Sequence, residues 1–284
     1  QLSSDIVDEL AKTFPDIATE VGFSGHDDRW SDLCPEGAES ALHKLRVMRR
    51  RVDAVPEPGN DWDRIAIDLA RLTLDEEASH FEHEDNLRDL NSMASPLQGM
   101  REIWDHMGKE TEEDWTNIVY RLERLPSALD GYRQTLDAGR RRGMAVAERQ
   151  VRAAVEQCRV SAGSTSRLSK LLDAYEQVNG SGSLTNRIET AVTDARAAFS
   201  ELGNYLADTY ATVAAEHDGV GSERYVRAAY RYLGTTIDPV ATYEWGWEQG
   251  ADLSAQMKAV AAEIKPGATM AEIDQLLCTD PART

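Results

Sequence analysis

The sequence has little cysteine and no visible leader. Its three cysteines, Cys34, Cys158 and Cys278, stand far apart and form no CxxC pair of the kind that binds zinc or exchanges disulfides. The chain opens at Gln1 without a basic stretch followed by an apolar core, so no secretory signal is visible. We therefore expect a reducing, cytoplasmic environment, and we expect that the natural amino terminus lies further upstream.

Long apolar runs and a surplus of positive charge are also absent. No uninterrupted apolar stretch approaches the roughly 18 residues needed to cross a bilayer, although apolar residues make up 41% of the 284 positions. The 50 acidic and 31 basic residues give a formal charge of -19, which repels phosphate backbones and anionic membrane surfaces. These features indicate a globular protein that binds neither nucleic acid nor membrane.

Strict alternation of apolar and polar residues is hard to find, whereas apolar residues return at three- and four-residue steps along nearly the whole chain. That spacing is typical of helix faces. Thr111 is placed to accept hydrogen bonds from the first turn of one such helix, and Pro126 is expected to start the next helix. The predicted fold class is therefore all-α, a multi-helix array with little or no β structure.

Several local patterns predict where helices begin and end. Asp238 before Pro239 is typical of a helix start, and Thr269 with Glu272 has the spacing of a capping box. The most linker-like segment is NGSGS at 179–183, but five residues are also an ordinary connection between helices. We predict one helical region over 1–284, with a minor break near 179–183 as the alternative.

The densest cluster of metal-binding side chains is HFEHED, in which His80, His83 and Glu84 have the spacing to share a helix face. A zincin needs HExxH, so that two imidazoles face the ion and the glutamate reaches the bound water. From His83 the sequence reads HEDNL, and Leu87 stands where the second histidine is required. A solvated acidic face is the favoured interpretation, and we assign no metal ligands. A metal-binding bundle that uses these three residues is one alternative.

An early polar segment contains His26, Asp27, Asp28 and Asp32. It lacks the spacing, the central glycine and the closing glutamate of an EF-hand loop. We interpret it as a polar loop in which Trp30 is held against the core.

A loop serine and two arginine triplets are further candidates, the serine for a nucleophile and the triplets for an anion site. Ser95 before Pro96 has no GxSxG elbow around it, so it is expected to start the helix that carries Met100 and Trp104. The triplets Arg49–Arg51 and Arg140–Arg142 spread over about 200° of a helix surface, so each is expected to pair with surplus acids. No catalytic residue is assigned.

Two aromatic features lie near the end of the chain. Trp245 and Trp247, two residues apart on a helix, are expected to point to different sides, one packing inside and the other lining a groove. Tyr225 follows the Gly219–Gly221 turn, and Tyr230 and Tyr232 come after it. A core or groove-lining tyrosine is the favoured role.

Two long segments carry a resemblance to a known family. One is RDLNSMASPLQGMREIWDHMGKETEEDWTNIVYRLERLPSALDGYRQTLDAGRRRGMAVAERQVR, from Arg88 to Arg152. The other is DGVGSERYVRAAYRYLGTTIDPVATYEWGWEQGADLSAQM, from Asp218 to Met257. Together they resemble the amino-terminal half of the bacterial DUF885 group, which is similar to the M32 carboxypeptidases and to other HExxH zinc peptidases. No HExxH occurs in this sequence.

The resemblance implies a function for the complete protein and a partial role for this chain. It implies the amino-terminal helical wall of a groove in a zinc-dependent, carboxypeptidase-like peptidase, with Tyr225 as a candidate groove residue after a Gly-rich turn. Zinc and the catalytic HExxH segment would belong to polypeptide outside this chain, which alone would be inactive and would hold no cofactor. The partners implied are a peptide substrate and the rest of the polypeptide, or another chain, packed on exposed apolar helix faces.

A self-contained helical binding or scaffold module is the rival interpretation. It predicts a closed core, no metal and a surface patch that recruits a partner. The open reading frame past Thr284 distinguishes the two, because the peptidase interpretation requires HExxH there.

Overall fold

A computed structural model describes residues 2–56, 58–180 and 182–280, and these residues confirm the all-α prediction. No strand forms within them; the only β-type pairing they contain is an isolated bridge between Ala147 and Ala215. The helices are α1 (Leu2–Thr13), α2 (Pro15–Glu20), α3 (Pro35–Asp53), α4 (Asp61–Glu82), α5 (Pro96–Glu102), α6 (Glu112–Arg141), α7 (Glu148–Ala162), α8 (Ser169–Asn179), α9 (Thr185–Asp208), α10 (Ser222–Leu233), α11 (Pro239–Ile264) and α12 (Met270–Thr279).

The chain divides into two compact units, the first ending at Asp218 and the second beginning at Gly219. The linker-like segment at 179–183 joins α8 to α9 inside the first unit, and its Ser181 lies outside the described residues. The prediction that 1–284 is one region of a larger protein stays a prediction. None of the described helices is both long and apolar enough to cross a membrane.

The larger core of the first unit forms where α6 and α7 pack against α9. Buried side chains recur at helical spacing on each of these helices, as the periodicity predicts. In this core Trp115 of α6 meets Tyr175 of α8 edge to face, with ring centroids 5.2 Å apart. Burial of such side chains contributes about 1.5–3 kcal/mol each relative to exposure, so this core supplies most of the stability of the unit.

A smaller core lies between α1, α3 and α4. Leu45 and Met48 of α3 face Leu74 of α4, and all three are buried. Phe14, which precedes α2, stacks on Phe81 near the end of α4 with ring centroids 6.5 Å apart.

Helix α6 corrects one sequence prediction, because it runs through Pro126 without a break. A proline inside a helix removes one backbone hydrogen bond and costs about 3 kcal/mol. On both sides of it the helix buries one continuous face, with Leu122, Leu125 and Leu129 all in the large core. Keeping that face continuous offsets the lost hydrogen bond.

The helix starts predicted from capping patterns are confirmed. The Thr111 hydroxyl accepts from the Asp114 amide at 3.1 Å, and the Asp238 carboxylate accepts from the Val240 amide at 2.9 Å. Thr269 begins α12 through the predicted capping box. These bonds satisfy amides that have no partner inside the helix.

The second unit is built differently from the first, because almost nothing in it is buried. Helix α10 buries none of its residues, α11 buries Ala261, and α12, which contacts α11, buries Ile273. Helices of this length normally bury an apolar face. The exposed faces of α10 and α11 are therefore the candidate functional surface of this unit.

Candidate substrate-groove surface in the second unit

Tyr225 lies in the first turn of α10, directly after a glycine turn. Gly221 has φ 82°, in the left-handed region that favours glycine, and its carbonyl accepts from the Tyr225 amide at 3.0 Å. The Tyr225 side chain is 50% exposed. Tyr232 lies seven residues on, on the same side of the helix, and is also exposed. The described residues of this unit thus offer two accessible phenols on one helix face.

Helix α11 carries a long exposed apolar face. Its members return at helical spacing and each is more than half exposed: Tyr243, Trp247, Leu253, Met257 and Val260. At 1.5 Å per residue they extend over roughly 25 Å. Acidic residues occupy another side of the helix, at Glu244, Glu248 and Asp252, four residues apart. We call the five-residue set the α11 apolar face.

The two tryptophans of α11 point to different sides, but neither packs inside. Trp247 lies on the α11 apolar face, meets Tyr243 edge to face at 6.1 Å and is 67% exposed. Trp245 lies on another side and is 60% exposed. The expectation that one of them is buried is wrong for the described chain, because no described element of the second unit covers either side of α11 at this point.

The HFEHED cluster does not form one helix face. Helix α4 ends at Glu82, and Glu84 follows with φ 57°, which turns its side chain away from the helix. Glu84 pairs with Arg142, and His83 Nδ1 lies 3.0 Å from the Ser79 carbonyl oxygen. His80 Nε2 lies 3.8 Å from an Asp89 carboxylate oxygen. The three side chains are therefore each engaged in a different direction.

Zinc, which the resemblance implies for the complete protein, does not fit the described residues. They contain no group of three or more His, Cys, Asp or Glu side chains arranged to hold a metal ion. His26, Asp27, Asp28 and Asp32 lie in a polar loop, as predicted, and Trp30 in that loop meets Trp104 with ring centroids 5.9 Å apart. No step of a metal-dependent reaction is assigned to this chain.

Ser95 starts α5, as the sequence predicts, and is engaged in capping. Its backbone amide donates to Gln98 Oε1 at 2.8 Å, and its hydroxyl donates to the same oxygen at 2.7 Å. Gln98 in turn donates to the Asn91 carbonyl and to Gln157. This arrangement is a rigid loop, and it contains no base for a nucleophilic serine.

Five of the six arginines in the two triplets pair with acids, as expected, and Arg50 forms no ion pair with a described residue. Arg49 contacts Asp53 and Asp75, and Arg51 contacts Asp5 at 2.6 Å. In the second triplet, Arg140 and Arg141 both pair with Asp137, and Arg142 pairs with Glu84. These partially exposed pairs contribute little to stability, and the side chains do not converge on a ligand.

A family comparison identifies the chain. The model of DUF885, described as a bacterial protein of unknown function, matches residues 15–284. The chain belongs to the DUF885 family. No curated protein matches it.

Two solved structures share the helical fold seen here. One is a proposed lipoprotein from Colwellia psychrerythraea, with a TM-score of 0.75 and 14% identity over 99% of this chain. The other is a proposed lipoprotein of unknown function from Shewanella oneidensis, with a TM-score of 0.74 and 15% identity over 95% of this chain. The chain covers 54% and 48% of those proteins, so it spans about half their length.

The exposed length of α11 is the feature that sequence reasoning missed. Its apolar spacing was visible, but the same pattern is typical of a helix that packs against its own domain. Only the contacts of the folded chain show which apolar faces are covered.

Proposed function

We propose that this chain forms the amino-terminal helical wall of a groove in a DUF885-type, zinc-dependent and carboxypeptidase-like peptidase. The HExxH segment and the zinc ion would belong to polypeptide outside these 284 residues. Family membership supports this proposal, as does the coverage of only about half of two relatives that share the fold.

The exposed α11 apolar face is the observation that carries the proposal. Monomeric proteins rarely leave contiguous apolar patches of more than a few hundred Å² in water, and larger patches mark interaction sites. Five large apolar side chains along one helix, each more than half exposed, form such a patch. A wall whose inner face is completed by further polypeptide accounts for this exposure.

In this proposal the chain binds and positions peptide and does not hydrolyse it. Tyr225 is the candidate groove residue, because its accessible phenol can donate a hydrogen bond to a peptide carbonyl. The helices of the wall would also exclude bulk water from the groove, which strengthens polar contacts inside it. The chain alone is expected to be inactive.

The reading frame beyond residue 284 gives the first test. A downstream HExxH would support the proposal, and a stop codon directly after Thr284 would contradict it. If the motif is present, we expect the long polypeptide to cleave unblocked peptides and to lose that activity when the motif glutamate is replaced. Tyr225→Phe should raise KM or lower kcat, whereas Tyr120→Phe, at a surface tyrosine of the first unit, should change neither.

A self-contained binding or scaffold module is the second candidate. The closed core of the first unit favours it, because thirty buried residues there form one continuous cluster without help from another chain. This candidate predicts that residues 1–284 fold and stay monomeric, and that they bind a partner with no hydrolysis under any condition. Peptide hydrolysis by the long polypeptide would eliminate it.

A further inference from the structure

Helix α4 carries an exposed apolar row on the side that faces away from its own core. Leu74 and Ala78 are buried in the smaller core, where α4 packs against α3. Trp62, Ile65 and Leu69, in contrast, are each more than half exposed. Their spacing of three and four residues places them in one row on nearly the opposite side of the helix. We call this row the α4 stripe.

A second row of residues, on one flank of the α4 stripe, alternates in charge. It consists of Asp61, Arg64, Asp68 and Arg71, again at steps of three and four residues. Arg64 Nη2 lies 2.6 Å from Asp61 Oδ1, and Arg71 Nη1 lies 3.4 Å from Asp68 Oδ1. Arg71 also lies 3.2 Å from Asp53 of α3. All four side chains of the row are more than a third exposed, so they are accessible to a second molecule.

The nearest positions on the other flank of the α4 stripe carry no charge. They are occupied by Ala66 and Thr73, and both residues are exposed. Small neutral side chains let another helix approach the stripe without the burial of an unpaired charge, which would be costly. The stripe therefore has the layout of a helix-pairing surface, with an apolar centre and charges at one edge.

The order of the charges is complementary to itself when it is reversed. Along α4 the row reads negative, positive, negative, positive, and backwards it reads the opposite. In an antiparallel pair of α4 helices with a two-fold axis near Ala66, Asp61 of each copy lies level with Arg71 of the other. Arg64 of each copy lies level with Asp68 of the other. Every charge in the row then faces an opposite charge.

The same register also matches the apolar residues. Trp62 of one copy lies within one residue, or about 1.5 Å along the axis, of the level of Leu69 of the other. The two Ile65 side chains meet close to the two-fold axis. A parallel pair would instead place the charged row against Ala66 and Thr73, which offer no opposite charge. The antiparallel arrangement is therefore the favoured one.

We propose that this chain forms a two-fold, antiparallel homodimer through the α4 stripe. A two-fold contact uses the same patch on both copies, which is what the self-complementary row requires. Each copy carries a formal charge of -19, which opposes association at long range. The charged row itself has two acids and two bases, so the contact adds no repulsion of its own. The proposal concerns the first unit and does not depend on peptidase activity.

Sedimentation velocity of the purified chain tests the proposal. We expect a reversible monomer–dimer equilibrium over about 1–500 µM, because small interfaces give weak complexes. Leu69→Asp should raise the dissociation constant by about tenfold or more. Leu253→Asp is the matched control, because Leu253 is a similarly exposed leucine on the α11 apolar face. A monomer at every concentration, or a dimer that only Leu253→Asp weakens, overturns the proposal.

Charge reversal tests the register. Asp61→Arg with Asp68→Arg makes the row entirely positive, and Arg64→Asp with Arg71→Asp makes it entirely negative. Each double variant alone should dimerise about tenfold or more weakly, and an equimolar mixture of the two should restore the dimer. Loss of fold in either variant, which circular dichroism detects, could not produce this rescue.

A single reversal elsewhere is the control for the charge variants. Glu156→Arg in α7 removes the same kind of exposed pair within one helix, with Arg159, and should leave the dissociation constant unchanged. If both double variants keep normal circular dichroism and their mixture stays monomeric, the proposed contact is wrong. Dimerisation of each double variant alone at the strength of the unmodified chain would also overturn it.

Discussion

Arg121 donates a hydrogen bond from Nη2 to the hydroxyl of Thr19 at 3.0 Å, although the two residues are 102 positions apart in the sequence. The guanidinium is fully buried, and burial lowers its pKa to about 10. Four acidic residues around it oppose that shift: Asp16, Glu20, Asp27 and Asp28. One arginine of α6 therefore fixes the whole loop that follows α2.

Replacement of this arginine should destabilise the first unit strongly. Arg121→Met leaves the part-buried carbonyls of His26 and Arg29 without their side-chain donor, and we expect a loss of about 3–5 kcal/mol in the free energy of unfolding. Urea unfolding followed by circular dichroism measures it. Arg124→Met is the control, because Arg124 is half exposed and pairs with Asp28 at the surface, so its loss should cost under about 1 kcal/mol. Equal losses in both variants would contradict the assigned role.

Tryptophan substitutions should separate the core from the α11 apolar face. Trp115 is 1% exposed, and Trp115→Ala should cost about 3–5 kcal/mol. Trp247→Ala should change the stability of the isolated chain by less than about 1 kcal/mol. In the proposed longer polypeptide Trp247 would be covered, and the same substitution should become as costly as a core substitution. A small effect there as well would argue against a covered α11.

Alanine substitution at two helical glycines should change the stability in opposite directions. At Gly139 of α6 an added Cβ would meet the backbone of Leu87, whose carbonyl carbon lies 2.9 Å away. We expect Gly139→Ala to cost about 1–3 kcal/mol, because backbone must shift. At Gly246 of α11 nothing lies within 4 Å, so Gly246→Ala should stabilise that helix by up to about 1 kcal/mol. Thermal unfolding of both variants checks the opposite signs.

The cysteines should differ in reactivity with a thiol reagent. Burial raises the pKa of Cys158 to about 12, so almost no thiolate forms there at neutral pH. Cys278 is exposed and should react first, and Cys278→Ser should remove that fast phase. Cys158 should react only after unfolding in denaturant. Labelling of Cys158 in the native chain at the rate of Cys278 would show that α7 opens readily.

The cap of α6 should make stability depend on pH. Hydrogen bonds from the Thr111 and Glu110 backbone groups and from the Thr111 side chain lower the pKa of Asp114. The stabilisation is therefore present above the ordinary aspartate pKa and is lost as pH falls through the lowered value.

Asp114→Ala should accordingly cost about 1 kcal/mol at pH 7, and less as the pH approaches 3. Glu113→Ala, in the same turn, should show a smaller difference. Denaturant unfolding at a series of pH values measures both, and a cost that does not change with pH would contradict the capping role of the carboxylate.

Much of the fold could be predicted because its signals are local. The starts of α6, α11 and α12 follow from side chains that bond amides two or three residues away. The helical spacing of apolar residues identified the faces that fill the large core. The candidate site was harder to predict. The sequence places Tyr225 directly after a glycine turn, but it does not show whether the side chain is exposed.

Other features depend on neighbours that are distant in the sequence. Glu84 leaves the helix that carries His80, which separates a cluster that looked continuous. Pro126 stays inside α6 because the core favours one continuous face. The sequence also indicated no special role for Arg121, whose partners lie 92 to 106 positions away.

The sequence by itself determined the helical class, the starts of α6, α11 and α12, and the excess of acid over base. These depend on hydrogen bonds within one turn, on periodicity and on composition. None of them depends on which other element packs against the helix. Tertiary structure decided which apolar faces are covered and which polar groups are buried. Burial is a property of two surfaces that meet, and a single helix specifies only one of them.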